Sequence, residues 1–232
     1  MHLQCLTRHL STQPPISAVH RGAAYERWCM RVLESCLSMS LSQVGGRADG
    51  GVDLQGWWWL PTGRQRPKDP SNVKRIRVLA QCKAEKKKIS PKYVREMEGV
   101  LHQFTAASNP TLPDTQATSP DANYFSTVGL FISASPFTKL TLLRAQSSSL
   151  PLALLHLPEQ PMDEGKPEAD HNAIGSILFN SALGSTSGVL KGEFEARWEY
   201  STKPEGGGRP VIWWRGKRMA SRAVKMQDAS GT

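Results

Sequence analysis

The chain has few of the residue patterns that hold metal ions through sulfur or imidazole. Its 232 residues include four cysteines, none of which forms a C-x-x-C pair or clusters with histidine. The six histidines are scattered, and no H-E-x-x-H motif occurs among them. Neither a zinc site nor a disulfide framework is therefore indicated, which suits a protein of a reducing compartment.

Long hydrophobic runs are also missing. No apolar segment approaches the roughly 20 residues that are needed to span a bilayer, so no transmembrane segment is predicted. The most apolar stretch, residues 150–157, contains Pro151 and His156 and is typical of a buried strand. A hydrophobic fraction of 39% fits a globular protein with polar loops.

Acidic residues are absent from the first 25 positions, and the first one is Glu26. The same stretch carries Arg8, Arg21 and several hydroxyl residues, which is the profile of a mitochondrial transit peptide. An ordinary disordered N-terminus is the alternative. We expect residues 1–19 to be a mitochondrial leader and the protein to reach the mitochondrion, with the matrix as its compartment.

Basic residues exceed acidic ones, because 29 lysines and arginines face 20 aspartates and glutamates, a net charge of +9. An excess of positive charge favours polyanion partners, since neutralising phosphates releases counterions. Many basic proteins of the mitochondrial matrix bind no nucleic acid, so charge alone does not decide the partner.

Hydrophobic periodicity predicts alternating strands and helices. Helices are predicted over residues 22–36, from Ser90-Pro91 onward, after the segment 135–138 to about residue 147 and, as a short element, over 174–183. Strands are predicted over 38–44, 52–60, 73–83, 125–133 and 152–157. The strand–helix order of the second half predicts parallel pairing and an α/β fold. We expect a core at 20–157, a linker at 158–172, an appendage of a helix and a β-hairpin at 173–215, and a basic tail at 216–232.

Three residues on two neighbouring predicted strands carry the chemistry. Asp53 follows a glycine-rich turn, and Gln81 and Lys83 project to one face of the next strand, since side chains at i and i+2 share a face. If the strands pair, these side chains converge. A carboxylate, a second oxygen ligand and a lysine suit Mg²⁺-assisted hydrolysis of a phosphodiester. A polar turn residue and a solvated strand end are the alternatives.

Four segments in a fixed order resemble a known family. They are Gly-Gly-x-x-Asp-Gly-Gly-Val-Asp-Leu at 45–54, Leu-Ala-Gln-Cys-Lys at 79–83, Val-Arg-Glu-Met-Glu-Gly at 94–99, and Gly-Leu-Phe-Ile-Ser-x-Ser-x-Phe-Thr at 129–138. Together they resemble the Mrr-type branch of the restriction-endonuclease-like, or PD-(D/E)xK, superfamily. In particular, they are similar to a fungal mitochondrial family implicated in respiratory growth.

This resemblance implies a restriction-endonuclease-like fold, a mixed central β-sheet flanked by helices. It implies Asp53 and Gln81 as ligands of Mg²⁺ or Mn²⁺, Lys83 as the catalytic lysine, and Glu26 on the first helix as an auxiliary acid of the metal shell. Gln81 departs from the broad superfamily, where Asp or Glu is common at this position. An amide oxygen ligates Mg²⁺ but brings no charge, so metal binding is expected to be weaker unless Glu26 contributes.

The function expected from these observations is metal-dependent hydrolysis of DNA in mitochondrial DNA maintenance and respiratory growth. The alternative is a nuclease-fold protein that no longer cuts and binds nucleic acid or a protein complex. The residues expected to bind nucleic acid are Arg75, Arg77, Lys86, Lys87 and Lys88. A structural assembly factor is a third hypothesis. Many enzymes of this fold act as dimers, so a homodimer stays open, with the aromatic tail either at its interface or capping the core.

Overall fold

The computed structural model describes residues 18–44, 50–61, 73–107, 125–159, 173–200 and 208–219. Most of the predicted leader and most of the basic tail lie outside the described residues, and the last two leader positions, 18 and 19, belong to the first helix. The elements are α1 (Ala18–Leu37), β1 (Met39–Gln43), β2 (Leu54–Pro61), β3 (Val73–Lys83), α2 (Pro91–Ala107), β4 (Thr127–Ser133), α3 (Lys139–Gln146), β5 (Leu152–His156), β6 (Ser176–Phe179), α4 (Ser181–Gly184), β7 (Phe194–Tyr200), β8 (Gly208–Trp214) and β9 (Lys217–Arg218).

The central sheet has six strands in the order β1-β2-β3-β4-β5-β6. β2 runs antiparallel to both β1 and β3, the strands β3, β4 and β5 are parallel, and β6 returns antiparallel along β5. The parallel pairs are joined through α2 and α3, as crossovers between parallel strands require. This confirms the predicted mixed sheet flanked by helices and the parallel pairing of the second half.

Both faces of the sheet are buried, and β3 contributes apolar residues to each face in alternation. Ile76, Val78 and Ala80 lie in the larger core with α1. Leu79 lies in the smaller core with α2. The predicted stripe of α1 is buried at Tyr25, Cys29, Val32, Leu33 and Cys36. A strand covered on both faces fixes its register, since a slip of one residue would exchange the two cores.

The segment predicted as a short helix over residues 174–183 is different in the structure. Ser176–Phe179 forms β6, and only one helical turn follows. Asn180 ends β6, and its buried side chain makes five hydrogen bonds to backbone groups of the segment 145–152 and of α4. The helix prediction was wrong because these partners lie far away in sequence and override the local pattern.

The predicted C-terminal β-hairpin is present as β7 and β8, with β9 as a third strand. Phe194 and Trp214, which pair across the hairpin, belong to the larger core and contact each other's rings. Trp198, in contrast, is exposed. The aromatic residues of this region therefore divide between capping the core and facing solvent.

Gly56 allows β1 and β2 to approach closely at their centre. A Cβ atom at this position would lie 2.1 Å from the carbonyl oxygen of Ser40 on β1. Only glycine fits so close to a neighbouring backbone. Among the described residues, no helix is both long and apolar enough to cross a membrane.

Candidate active site

Asp53 lies immediately before β2 and is tied to β3 through both its backbone and its side chain. Its backbone N–H donates to the carbonyl of Ala80 at 2.9 Å. Its carboxylate Oδ2 accepts a hydrogen bond of 2.6 Å from the backbone N–H of Cys82. The carboxylate is therefore held on the peptide group that joins Gln81 to Cys82, one residue before Lys83.

Two glycines place Asp53 at this point. Gly50 and Gly51 have φ values of +62° and +85°, in the left-handed region that favours glycine. The glycine-rich turn of the sequence continues upstream into residues 45–49, which lie outside the described residues. The described part of the turn already explains why the chain reverses just before the carboxylate.

Gln81 and Lys83 project from the same side of β3, as their spacing predicts, while Cys82 lies in the larger core. Gln81 is buried, and a Cβ atom at Gly51 would lie 3.5 Å from its Nε2. The amide group of Gln81 thus faces the turn that carries Asp53. Lys83 is half-buried at the end of β3.

Glu26 approaches the same place from α1. Its Oε2 accepts a hydrogen bond of 2.9 Å from Nε2 of Gln43, at the end of β1. Partial burial raises the pKa of the Glu26 carboxyl, the Gln43 hydrogen bond opposes that rise, and the negative charge of Asp53 adds to it. The positive charge of Lys83 lowers the pKa of Glu26. The structure therefore brings Glu26, Asp53, Gln81 and Lys83 to one edge of the sheet.

The predicted basic residues fall into two groups, one after the end of β3 and one in its first half. Lys86, Lys87 and Lys88 are exposed directly after the strand, on the side of Lys83. Arg77 lies six residues before Lys83, about 20 Å away along an extended strand, and Arg75 lies further still.

The two arginines are held by aromatic rings. The Arg75 guanidinium lies 4.3 Å from the ring centre of Phe125 and 5.1 Å from that of Trp57. That of Arg77 lies 5.4 Å from the ring centre of Phe104. Such cation–π contacts hold an arginine in place while leaving its charge available.

The sequence interpretation missed a hydrogen bond next to the site. The hydroxyl of Tyr93, on α2, donates to Oε1 of Glu85 at 2.5 Å, and this bond raises the pKa of Tyr93 to about 12. Glu85 lies two residues after Lys83, and its carbonyl accepts a hydrogen bond from the Ser135 hydroxyl. The apolar stripe of α2 included Tyr93, but no pattern in the sequence indicates the partner of its hydroxyl.

The polar side chains at this end of β3 include oxygen donors, the ligand type that suits a hard divalent cation. Two carboxylates that raise each other's energy by repulsion, together with an amide oxygen, are the oxygen ligands that Mg²⁺ prefers. Within the described part of the chain, no three His, Cys, Asp or Glu side chains are grouped to hold a metal. In the predicted metal shell the third oxygen donor is Gln81, whose neutral oxygen contributes no charge, and this role stays a prediction.

Comparisons with known proteins give a family and a compartment. The family model described as Required for respiratory growth protein 7 matches residues 17–71 and 61–183. An uncharacterized mitochondrial protein of Schizosaccharomyces pombe is 31% identical over 151 residues, 64% of this chain and 50% of that protein. The mitochondrial Required for respiratory growth protein 7 of Candida glabrata is 32% identical over 128 residues, 41% of this chain and 51% of that protein.

The corresponding protein of Saccharomyces cerevisiae is 31% identical over 124 residues, 40% of this chain and 51% of that protein. The chain spans about half the length of the curated relatives it matches. Their names confirm the expected mitochondrial localisation and the resemblance to a respiratory-growth family, whereas the matrix stays a prediction.

Among solved structures, the MspJI restriction endonuclease in complex with a 27-mer oligonucleotide matches 66% of this chain and 32% of its own. The identity is 15% and the TM-score is 0.34, which is too low to carry an argument. The nuclease superfamily and the roles of the site residues therefore stay predictions.

Proposed function

Because the chain belongs to the Required for respiratory growth protein 7 family, we propose that it is a mitochondrial nuclease that hydrolyses phosphodiester bonds of DNA with Mg²⁺ or Mn²⁺. The observation that carries this proposal is the hydrogen bond of the Asp53 carboxylate to the backbone N–H of Cys82. It fixes a carboxylate between a buried amide and a lysine, at the edge where Glu26 also lies. This activity would serve mitochondrial DNA maintenance and thereby respiratory growth.

Each residue has a separate task in this proposal. Asp53, Gln81 and Glu26 would hold the cation, which supplies charge neutralisation at the scissile phosphate and lowers the pKa of a bound water. The Cys82 N–H keeps the Asp53 carboxylate in one orientation before substrate arrives, so little reorganisation is needed.

Lys83 acts on the reacting phosphate and on the attacking water. Its ammonium group neutralises the negative charge that grows on the phosphate oxygens in the transition state. It also orients the attacking water by hydrogen bonding. Half-burial at the end of β3 restricts the lysine to few positions, which supports such a directed role.

Lys86, Lys87 and Lys88 would neutralise backbone phosphates next to the cleaved bond. They are exposed and lie three to five residues after Lys83. Contacts of this kind bind without reading sequence and weaken as salt rises. DNA affinity is therefore expected to fall steeply between low and physiological ionic strength.

The test is cleavage of labelled single- and double-stranded DNA and RNA by the full chain with Mg²⁺, with Mn²⁺ or with EDTA. Lys83→Ala and Asp53→Asn are compared with Lys92→Ala, a matched control because Lys92 is an exposed lysine on α2. We expect metal-dependent cutting that both site variants lose and the control keeps. Full activity of either site variant would rule out these roles.

A nuclease-fold protein that binds nucleic acid without cutting is the second candidate. It is favoured by the neutral Gln81, whose amide oxygen brings no negative charge to a cation site. Tight, salt-sensitive binding of nucleic acid without cleavage under any metal condition would establish this candidate instead. Replacing Gln81 by Glu, which adds the missing charge, would then be the variant to examine for restored cutting.

A further inference from the structure

Arg75 and Arg77 project from the same face of β3 as Gln81 and Lys83, because residues at even spacing along a strand share a face. Ile76, which separates the two arginines, lies in the larger core on the opposite face. Arg75 is exposed and Arg77 is half-buried. The face that carries the candidate active site at one end of β3 therefore also carries two arginines in the first half of the strand. We call Arg75 and Arg77 the arginine pair.

Aromatic rings hold the arginine pair from both sides of β3. The rings of Trp57 on β2 and Phe125 before β4 meet edge to face, with centres 4.9 Å apart. The Arg75 guanidinium contacts both rings, and that of Arg77 contacts the ring of Phe104 on α2. Each guanidinium is thus restricted to few positions before a ligand arrives, which lowers the entropy cost of binding.

The charge of the arginine pair has no acidic counterpart nearby. Strands β1, β2, β3 and β4 contain neither Asp nor Glu. In the part of the chain that the structure describes, neither member of the pair forms an ion pair. Lys74 is different, since its Nζ donates to the carbonyl of Val189 at 2.8 Å. Three arginines of the C-terminal strands also differ, because each is bound to a glutamate: Arg197, Arg215 and Arg218.

A polar strip on β1 and β2 connects Asp53 with the arginine pair. Ser40 and Ser42 on β1 are exposed, and Gln55 and Trp57 on β2 are half-buried. Trp57 contacts the arginine pair and lies four residues after Asp53, about 13 Å along the strand. Phosphates of one strand of a DNA duplex follow each other every 3.4 Å or so along its axis. The distance therefore corresponds to about four phosphates.

A row of phosphates is the ligand that fits this arrangement. A guanidinium binds a phosphate through two parallel hydrogen bonds, and arginines that lie over rings favour phosphate contacts over the stacking of bases on those rings. We propose that the arginine pair binds the phosphate backbone of a nucleic acid about four phosphates away from the bond at Asp53. The inference rests on the proposed function in taking nucleic acid as the ligand of the candidate active site. Such an anchor positions the chain without reading its sequence.

The experiment measures binding of a labelled 20-nucleotide single strand and of its duplex to the full chain across a salt series, in EDTA so that no cleavage occurs. One variant is Arg75→Gln with Arg77→Gln, and a second is Arg75→Lys with Arg77→Lys. The matched control is Arg31→Gln with Lys217→Gln. Both control residues are exposed cations, and Arg31 also lies over a ring, that of Trp28. They belong to α1 and the C-terminal strands, which pack into the larger core on the opposite face of the sheet.

The glutamine variant is expected to bind at least about tenfold more weakly at physiological salt, since two charged hydrogen-bond donors are lost. Its slope of log affinity against log salt should fall by about 1.8 for the duplex and about 1.4 for the single strand, the values for two phosphate contacts. The lysine variant should keep the slope and lose about threefold in affinity, because lysine lacks the planar fork. The control should keep both the slope and the affinity, although it loses the same two charges.

Equal losses in the glutamine variant and the control would overturn the inference, because they would show an effect of net charge alone. An unchanged slope in the glutamine variant would overturn it as well. So would unchanged oligonucleotide binding together with lost binding to phosphatidylcholine vesicles that contain cardiolipin, which would indicate a lipid surface. Circular dichroism checks that each variant folds.

The outcome is independent of whether the protein cuts DNA. Because binding is measured without metal, a protein that never cuts can still confirm the arginine pair as a phosphate anchor. If the protein cuts, the glutamine variant should raise KM and leave kcat nearly unchanged, since the anchor lies away from the reacting phosphate. A protein that cuts normally and keeps its KM in this variant refutes only this inference.

Discussion

Two substitutions of Asp53 distinguish its contribution to stability from its proposed role in cleavage. Oδ2 of Asp53 accepts the hydrogen bond from the Cys82 N–H, at the point where β2 has not yet begun to pair with β3. In Asp53→Ala, this partly buried N–H loses its acceptor. Leaving such a donor unsatisfied costs about 1–3 kcal/mol of unfolding free energy. In a chain of this size, that lowers the melting temperature by about 2–12 °C.

Asp53→Asn keeps an oxygen in the same place. Its amide oxygen accepts the Cys82 N–H, so the loss of stability is expected to stay below about 1 kcal/mol, the difference between a charged and a neutral acceptor. It removes the charge that would hold a cation, so metal-dependent cleavage is expected to disappear. Both variants are therefore expected to lose cleavage, whereas only Asp53→Ala is expected to lose substantial stability.

The assay pairs thermal or urea unfolding with cleavage of labelled DNA, on the same preparations. Ser42→Ala is the control, since Ser42 makes only an exposed hydrogen bond of 3.3 Å to the carbonyl of Gln55, and should change stability by less than about 0.5 kcal/mol. An Asp53→Ala protein as stable as Ser42→Ala would refute the structural task. Undiminished cleavage by Asp53→Asn would refute the chemical one.

Three further predictions concern other parts of the fold. In the folded protein the pKa of Glu26 is raised above its ordinary 4.5, so the stability that its protonated form contributes is present at acid pH and is lost as pH rises through the folded pKa. We therefore expect Glu26→Gln to melt at a higher temperature than the unmodified protein at pH 7 and at the same temperature at about pH 4. A lower melting temperature of Glu26→Gln at pH 7 would contradict this. Asn180→Ala should lose about 3 kcal/mol or more in urea unfolding, because several buried backbone groups lose their partner; a loss below about 1 kcal/mol would show that they find others. Gly56→Ala should fail to fold or melt at least about 10 °C lower by circular dichroism, since its Cβ would collide with the Ser40 carbonyl, whereas Gly99→Ala, where a Cβ meets nothing within 4 Å, should not destabilise the protein.

Much of the fold could be predicted because its signals are local. The apolar stripe of α1 and the alternation of β3 follow from the periods of helix and strand, which neighbouring residues carry by themselves. Ser90-Pro91 predicts the start of α2, since proline fits the first turn of a helix. The spacing of Gln81 and Lys83 placed both on one side of β3 before any contact was known.

The local sequence patterns do not indicate which hydrogen-bond partner each polar group has in the folded protein. β6 was predicted as helix because its partners are distant in sequence: its pairs with β5 are 20 to 26 positions apart, and the bonds from Asn180 to Leu152 and Ser148 span 28 and 32 positions. The hydrogen bond from Cys82 to Asp53 spans 29 positions. Sequence alone named the residues of the site, but not this bond or the link of Glu26 to Gln43.

The sequence by itself determined the basic charge and the types of most elements, and it predicted the mitochondrial leader and the residues of the candidate site. Only the tertiary structure decided that Trp214 is buried while Trp198 and Tyr200 face solvent, although all three belong to one aromatic hairpin. Periodicity records which side of a strand a residue occupies. Burial depends on where the rest of the chain packs, because a strand that extends past the core exposes the very side that it buries at its start.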